Sequence, residues 1–179
     1  MSAPEVRAGS ASTTASVTAT VSAGFAAVGA AANVLGLLIL AASFVSDPGR
    51  YDNSLAVATA LGAALLAVAL GYGALQMLRR ADEGRWMVLL ASGAWLAFAA
   101  LGLLAALTGY RSDYGIRWSA EGGTGVDIAT ATTGLPGVVT AFVHGDWLPC
   151  LVGSVVPLVI AAVAAVPATA RWFATAPTS

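Results

Sequence analysis

Residues 75–86 read Leu-Gln-Met-Leu-Arg-Arg-Ala-Asp-Glu-Gly-Arg-Trp, a short charged turn between two long apolar runs. Ser54–Leu78 precedes its charges and Trp86–Gly109 follows them, and neither run contains Asp, Glu, Lys, Arg or His. Each exceeds the roughly 20 residues that a helix needs to cross about 30 Å of hydrocarbon. So short a connection makes the two helices antiparallel neighbours. Arg79 and Arg80 stand where the first helix ends and its dipole is negative; Asp82 and Glu83 stand where the second begins and its free N–H groups need acceptors. Gly84 is expected to let the chain turn. Arg79, Arg80 and Arg85 are the strongest positive-inside signal in the chain, so the turn is assigned to the cytoplasm.

Composition agrees with this reading. Of 179 residues, 58% are hydrophobic and 9% charged, against about 25% charged in an ordinary soluble domain. The net charge is −1 and no basic patch occurs, which leaves nothing for nucleic acid to bind. One cysteine, Cys150, excludes an internal disulfide and dithiol redox chemistry within one chain.

Outward from the turn, the chain reads as an all-α membrane protein, a four-transmembrane-helix bundle. Residues 1–21 are rich in Ser, Thr and Ala and read as a disordered tail without the basic start and short apolar core of a signal peptide. The spans are expected at 22–46, 54–78, 86–109 and 148–170, and 173–179 form a second short tail. Arg7, Arg79, Arg80, Arg85 and Arg171 then fall inside, and Arg50, Arg111 and Arg117 outside, so both termini are expected in the cytoplasm and the protein in the plasma membrane.

Residues 110–147 form the one sizeable polar segment between spans and are expected outside. Tyr114, Ile116 and Trp118 alternate with small or polar residues, as do Val126, Ile128 and Thr130, around a Gly-rich centre at 121–125. This pattern predicts a β-hairpin, and the apolar run Val138–Val143 predicts a short interfacial helix. The Gly-rich centre lacks the Lys-Ser/Thr of a phosphate loop.

Within the spans, Asn33 is expected to hydrogen-bond a neighbouring helix. Ala63, Ala67 and Gly71 form a small-residue face on the second span; Gly93, Ala97, Gly102 and Ala106 do so on the third. These two faces are expected to pack together, because small residues let backbones approach closely in lipid. Trp95 fills a groove or faces lipid. Pro157 is expected to kink the fourth span.

No expected span carries a charge, which argues against ion-coupled transport. No metal, nucleotide or dithiol motif occurs, so no catalysis, cofactor or metal is expected. His144-Gly145-Asp146 is the one constellation to weigh: His144 could move a proton or hold a metal with Asp146 orienting it, against the plainer reading of loop structure.

Two functions remain. One is an accessory or scaffold subunit of a larger envelope complex, with a membrane-protein partner or a second copy beside it. The other is a carrier or binding protein for a lipid or similar apolar molecule. A carrier needs an apolar cavity reaching one membrane face, whereas a scaffold needs a filled interior and an exposed small-residue stripe. The Arg-Arg-x-Asp-Glu-Gly-Arg-Trp turn between Ala-rich spans, after a Ser/Thr-rich start, resembles small four-span membrane proteins of mycobacteria and related actinobacteria. Some proteins of that kind accompany lipid-import or cell-wall complexes, so the resemblance implies the accessory role and transfers no functional residue.

Overall fold

The computed structural model of the chain describes residues 5–46, 53–110 and 123–174. Among them are seven helices and no strand: α1 (Glu5–Ser46), α2 (Asn53–Leu78), α3 (Asp82–Leu107), α4 (Gly123–Ala131), α5 (Leu135–His144), α6 (Trp147–Ala165) and α7 (Pro167–Ala174). Four helices are long and apolar enough to cross a membrane: Thr13–Ser46 within α1, Ser54–Leu78, Asp82–Leu107 and Trp147–Ala165. They close into a ring in which α1 packs on α2, α2 on α3, α3 on α6 and α6 on α1. The chain thus has the make-up of a multi-pass membrane protein.

The connection after α2 is a Schellman turn. The Arg80 N–H donates to the Met77 carbonyl (3.1 Å) and the Ala81 N–H to the Gln76 carbonyl (2.9 Å). Arg80 itself takes the left-handed conformation, φ +63°. Gly84 does not make the turn as expected. It lies in the first turn of α3, where a Cβ would stand 2.7 Å from the Gly73 carbonyl oxygen, so its lack of a side chain permits the α2–α3 crossing. Helix α3 starts at Asp82, ahead of the expected Trp86, because Asp82 and Glu83 favour a helical first turn.

Residues 5–21 are helical, which corrects the reading of a disordered tail from Glu5 onward. Ala15, Ala19, Ala23 and Ala26 are buried at helical spacing, and α1 packs on α7 as well as α2. The hydroxyls in this segment bond back to their own helix: Thr18 Oγ1 donates to the Thr14 carbonyl and Thr20 Oγ1 to the Ser16 carbonyl.

The expected hairpin is not formed in its second half: Val126, Ile128 and Thr130 lie on α4. Its first half, 114–118, lies outside the described residues, as does Glu121. A run this short fits either period, and at helical spacing it places Asp127 and Ala131 together on a buried face. Helix α5 forms as predicted but is not a surface element. Leu135 through Ala141 are all buried, and α5 packs against every one of α1, α2, α3 and α6. It fills one end of the ring. The other end is filled by Leu70, Met77, Val88, Trp95 and Ile160. Gly29 faces these side chains; a Cβ there would stand 2.6 Å from Ile160 Cδ1 and 3.6 Å from Trp95 Cζ3.

The fourth span ends earlier than expected. Helix α6 runs through Pro157 without a break and stops at Ala165, where Pro167 cannot donate to the Val163 carbonyl. That carbonyl accepts instead from the Val166 N–H (3.4 Å) and Thr169 Oγ1 (3.2 Å).

Candidate functional site

Three features could carry function: the corner where α5 enters the ring, a groove between α2 and α3, and the small-residue face that α3 turns outward.

The corner is built on Asn33. Its side chain is fully buried in α1. Nδ2 donates to the Gly29 carbonyl of its own helix (2.9 Å), which leaves Oδ1 to accept the Leu135 N–H at the start of α5 (3.0 Å). A helix N-terminus presents N–H groups without intrahelical partners, and Asn33 satisfies one of them from another helix. Pro136, next along, has no N–H to satisfy. Two glycines make the approach possible. Gly134 has φ +81°, and a Cβ on it would meet Asn33 Cα at 2.6 Å; a Cβ on Gly36 would collide with the Thr133 carbonyl oxygen. The partner expected for Asn33 is therefore α5, a backbone donor rather than a side chain on another span.

The carboxylate that faces His144 is Asp127, not the Asp146 weighed as its orienting group. His144 Nδ1 lies 3.5 Å from Asp127 Oδ1, which ties the end of α5 to α4. Asp146 is the N-cap residue of α6, and its carboxylate makes no capping hydrogen bond. Asp127 is buried. Among the described residues no group of three or more His, Cys, Asp or Glu could hold a metal ion.

The small-residue faces are distributed differently from the expectation. Ala63 is buried and Ala67 half-buried. Gly71 faces α1: a Cβ there would lie 3.7 Å from Ala30 Cβ. Gly102 faces α5 and α6, near Phe142 Cβ and Cys150 Sγ, and Gly93 and Ala97 point out of the bundle. The close α2–α3 contact lies instead at Gly73, Gly84 and Val88, next to the turn. Spacing identified the smooth faces but could not say which helix each one meets.

The three arginines of the turn divide their roles. Arg85 Nε donates to the Ala164 carbonyl (3.0 Å), which the break before Pro167 leaves at the end of α6. It caps that helix with a charge of the right sign. Arg80 lies over the Trp172 ring of α7, 4.1 Å from its centroid. Arg79 is exposed, and its guanidinium has no partner among the described residues.

The groove between α2 and α3 has a volume of about 680 Å³. Leu65, Leu66 and Ala69 form one wall; Leu90, Ala94 and Phe98 form the other; Trp95 lies in its floor. Glu83 and Trp86 stand at the end nearest the turn. At the far end Leu135 of α5 closes it, near enough to Gly62 that a Cβ there would lie 2.7 Å from Leu135 Cδ2. The groove is open along its side. Trp95 is 1% exposed, and its indole Nε1 has no hydrogen-bond partner. A second cleft, of about 280 Å³, lies between α1 and the α4–α5 pair. Its threonines are already engaged, with Thr130 on the Val126 carbonyl and Thr140 on the Pro136 carbonyl.

No protein-family model, curated protein or solved structure matches this chain. The functional reading therefore rests on the geometry above.

Proposed function

We propose that this protein is an accessory or scaffold subunit of a membrane complex, and that the outward face of α3 receives a partner's transmembrane helix. One observation carries the reading. Most glycines of the ring are spent on close contacts: Gly29, Gly36, Gly73, Gly84, Gly102 and Gly153 each face a neighbouring helix or loop within 4 Å. Gly93 on α3, like Gly24 on α1, breaks that pattern. Gly93 lies mid-helix, nothing is within 4 Å of its Cβ position, and Ala97 and Ala100 continue the exposed face. A glycine inside a helix costs about 0.5–1 kcal/mol relative to alanine. In lipid, where hydrophobicity does not drive helices together, a smooth face gains by backbone approach. The same chemistry that closes the ring is thus presented outward.

The arginine distribution favours a plasma-membrane orientation with the α2–α3 turn and both chain ends in the cytoplasm. The carrier reading is favoured less, because a groove open along its side can hold a resident lipid but does not enclose a cargo in transit.

Mild-detergent purification followed by mass spectrometry tests the proposal. A stoichiometric membrane partner, or a second copy, is expected with the natural chain and is expected to be lost in Gly93→Leu and Ala97→Leu. A monomer without partner, or a complex indifferent to both substitutions, would overturn it.

A further inference from the structure

We propose that the α2–α3 groove seats one ethanolamine-headed phospholipid from the leaflet on the turn side, independently of the accessory role. Depth selects a lipid over a helix. From Glu83 to Phe98 the groove rises about 22 Å along α3 at 1.5 Å per residue. A bilayer is about 40–45 Å thick with its headgroups, so one leaflet is about 20–22 Å. The groove begins at the charged turn and is stopped by Leu135, one leaflet down. A partner helix would need a channel across the whole hydrocarbon core; a single acyl chain needs one leaflet of it. The apolar walls suit that chain.

Charge at the mouth selects the head. Glu83 lines the groove and can accept hydrogen bonds from an ammonium group. The turn also carries guanidinium groups that can pair with the phosphate: Arg79 is exposed, and Arg85, whose Nε is held by the Ala164 carbonyl, has its guanidinium 5.6 Å from the centroid of the Trp86 ring that lines the mouth. A phosphate with a primary ammonium matches a groove-lining carboxylate with guanidinium groups in the same turn. A choline head has no N–H to donate, and a glycerol head has no cation for Glu83. Trp86 beside the mouth, 55% exposed, suits the interfacial aromatic belt.

The test is native mass spectrometry of the full chain released from nanodiscs of equal phosphatidylethanolamine, phosphatidylcholine and phosphatidylglycerol. One retained phosphatidylethanolamine per chain is expected, enriched about threefold to fivefold over the other two, the range an exposed ion pair supports. Glu83→Gln is expected to abolish the preference for the ethanolamine head while keeping a bound lipid. Ala94→Phe, at an exposed wall position, is expected to remove the lipid altogether with helicity unchanged. Equal retention of all three lipids by the natural chain, or full retention in Ala94→Phe, overturns the proposal. So does a preference for phosphatidylglycerol. Loss of the partner complex in Gly93→Leu with lipid retained would separate this site from the accessory face.

Discussion

Replacing Asn33 by Leu removes the acceptor for the Leu135 N–H while keeping a side chain of similar length. The Nδ2 bond to Gly29 is lost too, but that carbonyl still belongs to the α1 helical ladder, so its loss is minor. The donor on α5 is different: its bond to Asn33 is buried. An unsatisfied buried donor costs about 1–3 kcal/mol. Interhelical polar bonds in membrane proteins average about 0.6 kcal/mol and reach about 1.7. Both figures describe the same broken contact and are not summed, so about 2 kcal/mol is expected. Unfolding in mixed micelles should report that loss. The location is the sharper readout. If Asn33 pins α5, amide exchange over residues 134–140 should speed up by about 30-fold, the factor equivalent to 2 kcal/mol, while α3 amides keep their rates. Unchanged α5 exchange in a folded Asn33→Leu protein would refute the role assigned to this contact. So would a uniform rise across all four spans.

Gly36→Ala should destabilise by more than 1 kcal/mol, because its Cβ meets backbone at Thr133, whereas Gly24→Ala, with open space around it, should be neutral or stabilise by up to about 1 kcal/mol; parallel unfolding curves compare them. Arg85→Gln should cost about 1 kcal/mol by uncapping α6, with faster exchange near Val163–Thr169 and partial recovery in Arg85→Lys. Arg80→Gly relieves a left-handed residue but removes the Trp172 contact; two effects of about 1 kcal/mol oppose each other, so stability should change little while Trp172 fluorescence shifts. Asp127→Asn should loosen α4 from α5, seen as faster proteolysis within 123–131 and unchanged spans.

The spans were legible because long uncharged runs have few other uses, and the turn was legible because its charges sit where helix dipoles want them. Asn33 was legible as a polar group needing a partner, though not which one, since its partner lies far along the chain and is a backbone N–H. The α4 segment is ambiguous in the sequence because Val126, Ile128 and Thr130 satisfy a two-residue period as well as their helical positions do. The helical reach of α1 toward Glu5 had a signal, Ala15, Ala19 and Ala23 at four-residue spacing, masked by the Ser and Thr between them. The end of α6 had one as well: Pro167 removes a donor that Pro157, within a longer run, does not make fatal. The groove had none, because it arises from which faces of α2 and α3 turn away from each other.

Asn33 and Leu135 are 102 positions apart. At a synthesis rate of about 5–20 residues per second, the amide emerges roughly 5–20 s before the backbone group it will bind. Helix α5, about 15 Å long, is too short to be threaded across a bilayer on its own. It must slip into place late, between walls already standing. Until then α1 holds an unmet polar side chain in the apolar interior, an opening in which a chaperone, a lipid head or a neighbouring chain has its chance to divert assembly.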